Sequence, residues 1–460
     1  MHGVVHDTTV ITSTAGYLRV LERHSLVFEG GQITVLRPAA ELEPQVRAGA
    51  LGTVVLGQRY LTVPGLVNTH HHLFQSLTRC LPAAQNERLF GWLLTLYERW
   101  RHLDNRALRL AAQISIAELL LHGVTTTSDH FYMFPRGADV RLEAILEAAD
   151  TLGIRLHLCR GSMSLGQSRG GLPPDDCVES DADVLADCVR VLDRYHDPRP
   201  YALRRIDLAP CSPFNVTREL LIATRQLARE RAVLLHTHLA ETQDEERYCL
   251  ARFGRRPVQY LAELDWLGPD VYLAHCVHVN EAEIQLLART RTAVSLCPSS
   301  NQRLGSGWPP IEQLVAAGIR VGLGVDGSSS NDSGNLLAEA RQALLLARGQ
   351  AAARDDAPLL PPHKAFELAT TGGAACLNRP ELGHLNPGAA ADFAMFRADD
   401  IALAGAAAQD PVAALVLCDA PRAERVFVAG REVVREGRIV ARDETALGAQ
   451  LNDLVAERFV

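Results

Sequence analysis

From residue 64 onward, short runs of apolar and β-branched residues alternate with longer segments whose apolar residues recur at helical spacing. The runs with strand character are residues 123–129, 155–159, 206–209, 233–238, 271–275, 293–296 and 320–326. The amphipathic segments between them include residues 107–121, 140–152 and 280–288. This alternation predicts a parallel sheet, and a chain of 460 residues has room for a (β/α)₈ barrel with a small appendage.

The two ends of the chain follow a different pattern, in which short strands are separated by turn residues. Residues 8–11, 25–28 and 33–36 resemble strands, and Gly30 and Gly31 indicate a hairpin between the last two. Strand-like segments return after about residue 384, at the positions 391–396 and 425–434. We therefore predict a TIM barrel over residues 64–383 and a small β-sandwich domain formed by residues 1–63 and 384–460.

Composition narrows the choice of partner and location. The formal net charge of −8, with both signs mixed along the chain, argues against a surface for nucleic acid or anionic membranes. Ten cysteines without paired spacing favour free thiols in a reducing cytoplasm. The N-terminal residues do not resemble a secretory signal, and no uncharged apolar stretch is long enough to span a bilayer. We expect a cytoplasmic protein whose partner is a small molecule.

Two histidines follow the apolar segment that opens the predicted barrel. Because strand side chains alternate between faces, His70 and His72 point to one side and His71 to the other. Two imidazoles at a strand end form half of a metal site, although a polar strand end with incidental histidines would have the same sequence. His236 and His238 repeat the spacing. We expect His238, nearer the strand end, to bind the metal and His236 to pack or hydrogen-bond behind it.

Three further residues extend this ordered set along the chain. Glu241 lies where the strand of His238 turns toward a helix, so its carboxyl can face a substrate, although the helix dipole also favours glutamate in a first turn. His275 ends one predicted strand and Asp326 ends the last. A lone aspartate would also suit a helix cap. Within this set we interpret Asp326 as a metal ligand that also contacts a bound water.

These residue types suit one kind of chemistry. Neutral imidazoles and one carboxylate leave a bound metal ion partly positive, so that a coordinated water loses a proton near neutral pH. Asp326 can accept that proton, and His275 can orient the water. Glu241 can protonate a ring nitrogen and then assist the departing amine. Addition of water followed by loss of ammonia is hydrolytic deamination.

The scarcity of lysine argues against a site with two metal ions. Some metal barrels hold two ions bridged by a carbamylated lysine on a central strand, but the single lysine of this chain, Lys364, follows Asp326. A site with one metal ion is therefore favoured. The zinc deaminases with a Pro-Cys-x-x-Cys motif are also excluded, because Phe214 stands where the second cysteine would follow Cys211.

Three motifs resemble those of the amidohydrolase superfamily, in its mononuclear aminohydrolase branch. They are N-T-H-H-H-L-F-Q at 68–75, H-T-H-L-A-E-T at 236–242 and G-V-D-G-S-S-S-N-D at 324–332. The resemblance covers nearly the whole chain. It implies one zinc ion, with ferrous iron as the alternative, a homodimer or larger assembly, and a cluster of functional residues. In that cluster the metal ligands are His70, His72, His238 and Asp326, the proton shuttle is Glu241, and the residue beside the attacking water is His275.

The predicted substrate pocket is built from the loops that follow the barrel strands. Gln75 matches the position at which related purine deaminases hydrogen-bond the base. Trp92 can stack on a flat heterocycle, or it can belong to a helix core. Cys211 can face the ligand, or it can be a buried, inert thiol. His130 ends a predicted strand and is a further candidate for the pocket wall.

Within this branch, the segments 69–79, 89–92, 128–132, 160–164, 209–214 and 297–301 are most similar to enzymes that deaminate oxidised purines. The resemblance implies hydrolytic deamination of an oxopurine, with 8-oxoguanine favoured and urate as its product. Guanine, isoxanthopterin, cytosine and substituted s-triazines are the alternative substrates. A metal-binding module without activity would lack Glu241, His275 or Asp326, and all three are present.

Overall fold

The computed structural model describes residues 2–352, 359–419 and 421–459. Its N-terminal segment contributes five strands to one sheet. These are β1 (His2–Thr14), β2 (Tyr17–Glu29), β3 (Gln32–Pro38), β4 (Thr53–Leu56) and β5 (Tyr60–Pro64).

Eight further strands, all parallel to their neighbours, close into a barrel. These are β6 (Leu66–Asn68), β7 (Val124–Phe131), β8 (Arg155–Ser162), β9 (Arg204–Pro210), β10 (Leu235–Leu239), β11 (Val271–His275), β12 (Ala293–Leu296) and β13 (Val321–Leu323). They follow one another around the barrel in chain order, and β13 pairs with β6 to close it. The TIM barrel predicted from the strand–helix alternation is confirmed.

The last strands return to the first sheet. They are β14 (Phe393–Arg397), β15 (Arg425–Val428), β16 (Arg431–Arg435) and β17 (Arg438–Ile439). The sheet has the order β17-β16-β15-β14-β5-β1-β2-β3, with β4 added to β1, so both ends of the chain build it as predicted. It folds over itself: the Phe28 ring lies 5.6 Å from Phe393 and 5.7 Å from Phe427, on strands that do not pair with β2. These rings form part of a small apolar core separate from that of the barrel.

Helices fill the connections between strands. They are α1 (Ala39–Arg47), α2 (Leu89–Trp100), α3 (Asn105–Leu121), α4 (Glu143–Leu152), α5 (Asp181–Tyr195), α6 (Arg218–Glu230), α7 (Gln243–Phe253), α8 (Pro257–Glu263), α9 (Glu281–Thr290), α10 (Pro298–Arg303), α11 (Ile311–Ala316), α12 (Leu336–Ala351), α13 (Pro362–Glu367), α14 (Gly373–Cys376), α15 (Ala406–Gln409), α16 (Pro411–Leu417) and α17 (Glu444–Arg458). Short 3₁₀ turns occur at Leu73–Thr78, Pro82–Ala84 and Gln167–Arg169, and a π turn at Leu368–Gly372. None of the helices in the described ranges has the length and apolar character needed to traverse a bilayer.

Capping side chains explain where several of the helices begin. The caps that accept a backbone N–H are Asp104, Ser180, Thr217, Thr242 and Asn280. Such a bond satisfies one of the free N–H groups of a first helical turn. The starts of α6, α7 and α9 are thereby fixed a few residues beyond β9, β10 and β11.

The structure divides the apolar segment that precedes His70 into two strands. β5 belongs to the terminal sheet and β6 to the barrel, and Gly65 lies between them. A Cβ atom at Gly65 would lie 2.0 Å from Thr125 Oγ1 of β7. Only glycine allows the chain to approach β7 this closely as it passes from the sheet into the barrel.

A buried ion pair joins the barrel to the terminal sheet. Arg155 at the start of β8 donates to both carboxylate oxygens of Asp392, at 2.9 and 2.8 Å. Asp392 also accepts from Ala429 N at 2.8 Å, and Arg155 donates to Tyr201 O at 2.7 Å. Both charged side chains are almost fully buried, with exposures of 0% and 4%. Since each charge has several partners, the pair is satisfied without water.

We expect Asp392→Ala to lower the free energy of unfolding by about 3–5 kcal/mol, because it leaves the Arg155 guanidinium buried without its partner. Urea denaturation of samples with matched metal content measures this loss. The control is Asp399→Ala, which removes a half-exposed partner of Arg397 and is expected to cost much less stability, because solvent screens this pair. Equal losses in the two variants would show that the buried pair does not stabilise the junction.

Candidate active site

The predicted metal and catalytic residues meet at the carboxyl ends of the barrel strands. His70 and His72 follow β6, His238 lies near the end of β10, and His275 is the last residue of β11. Asp326 follows β13. In β10 and β11 the register pairs residue 239 with residue 275, so the two strands end at one level. A closed parallel barrel brings all of these ends to one rim.

Backbone carbonyls fix the tautomers of two histidines. His72 Nδ1 lies 2.6 Å from His130 O, and His238 Nδ1 lies 2.6 Å from Cys211 O. A carbonyl oxygen only accepts, so each Nδ1 carries the hydrogen. Each Nε2 is then left with a free lone pair, and the two Nε2 atoms lie 3.1 Å apart.

His70 obtains the same tautomer through a chain of two bonds. His236 Nδ1 donates to Tyr272 O at 2.7 Å, so His236 Nε2 is an acceptor. It accepts from His70 Nδ1 at 2.7 Å, which leaves the lone pair of His70 on Nε2. That nitrogen is buried and has no hydrogen-bond partner in the described part of the chain. His236 therefore lies behind His70, consistent with the prediction made from its greater distance from the strand end.

The donor atoms surround a single point. Asp326 Oδ1 lies 3.5 Å from His70 Nε2 and 3.3 Å from His72 Nε2. Ligand atoms at zinc distances in a tetrahedral arrangement are separated by about 3.3 Å. Neutral imidazoles and a carboxylate are also ligands that zinc accepts. The residues, including the unpartnered His70 Nε2, thus fit one divalent metal ion.

Asp326 is held as an anion by its neighbours. Its backbone is in the left-handed region, with φ of 62°, a strained conformation for this residue type. Ser300 Oγ donates to Oδ2 at 2.6 Å, and Gly327 N donates to Oδ1 at 2.7 Å. Burial alone would raise the pKa of Asp326, but the neighbouring imidazoles, above all that of His70 at 3.5 Å, hold the pKa well below its usual range.

His275 differs from the three other histidines of the cluster in the atom it presents. Asn301 Nδ2 donates to His275 Nδ1 at 3.0 Å, so the hydrogen of the neutral ring is on Nε2. Nε2 lies 3.6 Å from Glu241 Oε2 and 4.0 Å from Asp326 Oδ2. Burial lowers the pKa of His275 to about 4, so the ring is neutral at pH 7. It offers a donor to the space between the two carboxyl groups.

Glu241 is the carboxyl of the site that its surroundings shift toward the protonated form. Burial raises its pKa well above the usual range, and the charges of Asp326 and Glu245 act in the same direction. Its backbone is fixed by Glu245, whose two oxygens accept from Ala240 N at 2.9 Å and Glu241 N at 2.8 Å. Ser306 Oγ donates to Glu241 Oε1 at 3.4 Å. The site therefore holds a proton donor beside a metal-ligand set.

A cavity of about 410 Å³ opens onto these groups. Its lining residues are His72, Gln75, Leu89, Trp92, Leu93, Tyr132, Cys211, Ser212, Phe214, Asn215, His238, Glu241, His275, Leu304, Asp326 and Ser330. A cavity that combines apolar side chains with converging polar groups is typical of a small-molecule site. Three of the four predicted substrate residues, Gln75, Trp92 and Cys211, lie in its wall.

The fourth predicted substrate residue, His130, lies in a different place from the one expected. Its Nε2 donates to Ala209 O at 2.9 Å, and its ring stacks on His238 at 4.7 Å. His130 O also fixes the tautomer of His72. Since its ring lies behind the metal-ligand cluster, it supports that cluster rather than forming the pocket wall.

Several residues of the site were not singled out from the sequence. Ser300 and Asn301 lie in α10 and hold Asp326 and His275. Tyr132 and Asn215 line the cavity. The segment 297–301 is similar to enzymes that deaminate oxidised purines, and this similarity is the signal in the sequence for the two α10 residues.

Comparison with known proteins agrees with this geometry. Residues 61–433 match the amidohydrolase family, and the chain belongs to that family. This confirms the expected class: an enzyme that is a metal-dependent hydrolase acting on carbon–nitrogen bonds.

Individual relatives are similar over nearly their whole length. The 8-oxoguanine deaminase of Pseudomonas aeruginosa is 46% identical over 92% of this chain and 92% of its own. The hydroxydechloroatrazine ethylaminohydrolase of Pseudomonas sp. strain ADP is 38% identical over 96% of this chain and 92% of its own. The crystal structure of atrazine chlorohydrolase from Arthrobacter aurescens TC1, complexed with zinc, superposes with a TM-score of 0.92 at 33% identity, covering 98% of this chain and 100% of that one.

We expect Ser300→Ala to weaken metal binding by about 10- to 100-fold, because it removes a bond that orients the Asp326 carboxylate. Competition with a chromogenic chelator measures the affinity. The control is Ser333→Ala, whose hydroxyl accepts a 3.4 Å bond from Asn335 N outside the cluster. Unchanged affinity in Ser300→Ala would mean that Asp326 is positioned without this serine.

Proposed function

We propose that this protein catalyses the hydrolytic deamination of an oxopurine, with 8-oxoguanine and water giving urate and ammonia. The observation that carries the proposal is the convergence of the metal-ligand set, His275 and the Glu241 carboxyl on one pocket. A deaminase needs both a group that receives a proton from water and a group that gives one to the ring.

The proposed metal is one zinc ion per chain, held by His70, His72, His238 and Asp326. When bound there, it supplies the Lewis acidity that makes a water molecule nucleophilic at neutral pH. Imidazole and carboxylate ligands also suit ferrous iron, so metal analysis of the purified protein distinguishes the two.

The side chains divide the proton transfers among them. Asp326 Oδ2, with its bond from Ser300, is the base that accepts a proton from the attacking water. His275 Nε2–H, between Asp326 and Glu241, orients the oxygen of that water. Glu241 donates its proton to the ring nitrogen next to the amino-bearing carbon, which makes that carbon more electrophilic. The proton that Asp326 took from water then passes to the amino group, the C–N bond breaks and ammonia departs. The proton of the newly added hydroxyl returns to Glu241 as the carbonyl forms.

The pocket favours an uncharged heterocycle. None of its described lining residues is lysine or arginine, so a phosphate or carboxylate on the ligand would lack a cationic partner. Leu89, Trp92 and Leu93 provide apolar surface, and the Gln75 amide offers both a donor and an acceptor to a lactam edge. The relative named 8-oxoguanine deaminase supports an oxopurine in particular.

The proposed location is the cytoplasm, and purine breakdown is the proposed role. All ten cysteines are free thiols and eight of them are buried, which is consistent with a reducing compartment. Ammonia release from 8-oxoguanine, guanine, isoxanthopterin, cytosine and amino-s-triazines by one metal-analysed preparation tests the substrate. A higher kcat/KM for any of the others than for 8-oxoguanine would contradict the proposed substrate.

We expect Glu241→Gln to keep its metal and to lose deamination of 8-oxoguanine by about 10²- to 10⁴-fold, because the amide cannot shuttle a proton. Ammonia release and metal content are measured on the same sample. The control is Glu246→Gln, which changes a partly exposed partner of Arg256 in the adjacent helix and is expected to leave turnover intact. Full ammonia release from Glu241→Gln would remove Glu241 from the mechanism.

We expect Gln75→Ala to raise KM for 8-oxoguanine by about 10-fold or more while metal content stays constant, since Gln75 lies in the pocket wall and outside the ligand set. Steady-state kinetics and metal analysis distinguish a change in KM from a loss of metal. The Gln75 amide has space in the wall because residue 327 is glycine: a Cβ there would lie 1.9 Å from Gln75 Oε1. Loss of metal in proportion to activity would instead assign Gln75 to the folding of the site.

A further inference from the structure

One part of the pocket wall is a rigid turn after β9. Asn215 N donates to Ser212 O at 3.0 Å, which closes the turn. Ser164 N and Leu165 N each donate to Asn215 O at 3.0 Å. Because the backbone is held from both sides, the side chains of Ser212 and Asn215 are fixed before a ligand binds, which lowers the entropic cost of binding.

Neighbouring side chains set the orientation of the Asn215 amide. The Tyr97 hydroxyl donates to Met163 Sδ at 3.7 Å, so its oxygen is free to accept from Asn215 Nδ2, 3.4 Å away. Asn215 Nδ2 also lies 3.4 Å from Cys211 Sγ. The nitrogen is thus engaged with the protein. Asn215 Oδ1 is buried and has no hydrogen-bond partner among the described residues.

Ser212 presents a second unpartnered atom in the same wall. Its Oγ is buried near the Cys211 thiol, but it has no partner within hydrogen-bonding geometry in the described chain. Buried polar atoms are normally hydrogen-bonded, and leaving them unpaired costs stability. Two such atoms in a ligand pocket indicate that a ligand supplies the missing partners.

We propose that Ser212 and Asn215 form a subsite that recognises an N–H beside a carbonyl on the substrate ring. Asn215 Oδ1 accepts from the N–H, and Ser212 Oγ donates to the carbonyl oxygen. The inference rests on the proposed function: with Gln75 at the lactam edge of the six-membered ring, the pair that remains for this subsite is on the five-membered ring of 8-oxoguanine. Guanine has a C–H at the same carbon and hydrogen on one of the two flanking nitrogens instead of both. The subsite therefore selects 8-oxopurines over the parent purines.

The test compares 8-oxoguanine with guanine. We expect Asn215→Ala and Ser212→Ala each to lower kcat/KM for 8-oxoguanine by about 10- to 100-fold and to change the value for guanine by less than about 3-fold. The control is Phe214→Leu, which changes an apolar side chain in the same turn and removes no hydrogen-bonding atom. It is expected to lower kcat/KM by the same factor for 8-oxoguanine and for guanine. If the ratio of kcat/KM for 8-oxoguanine to kcat/KM for guanine is unchanged in both alanine variants, the proposed subsite is wrong.

Binding provides a readout that does not depend on turnover. In the Glu241→Gln background, we expect 8-oxoguanine to bind at least 10-fold more tightly than guanine, and Asn215→Ala or Ser212→Ala to remove most of this difference. If one of them fails to fold in a thermal melt, the other carries the test. Equal binding of the two purines before the alanine changes overturns the subsite. A lack of ammonia release by the unmodified protein overturns the proposed function separately.

Discussion

The convergence of three imidazole lone pairs and one carboxylate on a single point is the constraint that the rest of the site depends on. In this buried rim, His72 Nε2 lies 3.1 Å from His238 Nε2, and Asp326 Oδ1 lies 3.3 Å from His72 Nε2 and 3.5 Å from His70 Nε2. Such a set is unfavourable in an apolar interior unless a cation is bound and every outer atom has a partner. The barrel supplies those partners as backbone carbonyls of neighbouring strands, at His130, Cys211 and Tyr272.

The two carboxyl groups of the pocket show how surroundings assign opposite tasks to similar side chains. Asp326 receives hydrogen bonds from Ser300 and Gly327 and lies beside the histidines, so it stays ionised. Glu241 is buried with one long bond from Ser306 and faces other carboxylates, so it keeps its proton. A difference of this kind is the usual basis for separate acid and base roles in one site.

The order of the strands and the polar residues at their ends was predictable, because both depend on local periodicity. Alternation along a strand distinguishes His72 from His71, and the distance from the strand end distinguishes His238 from His236, without reference to the rest of the fold. The sequence could not show that His130 lies behind the metal-ligand cluster, since its ring position depends on a bond to Ala209 in another strand. The bonds from Ser300 and Asn301 also depend on how α10 sits across the barrel rim.

The sheet shared by both chain ends has a consequence for synthesis on the ribosome. β5 pairs with β14, and the sheet partners of β1 are β2, β4 and β5, so one flank of this early sheet stays open until β14 (Phe393–Arg397) emerges. An unpaired strand edge can join another chain. Nascent molecules are thus exposed to association through β5 for most of their translation, and the burial of Arg155 against Asp392 can take place only at the end.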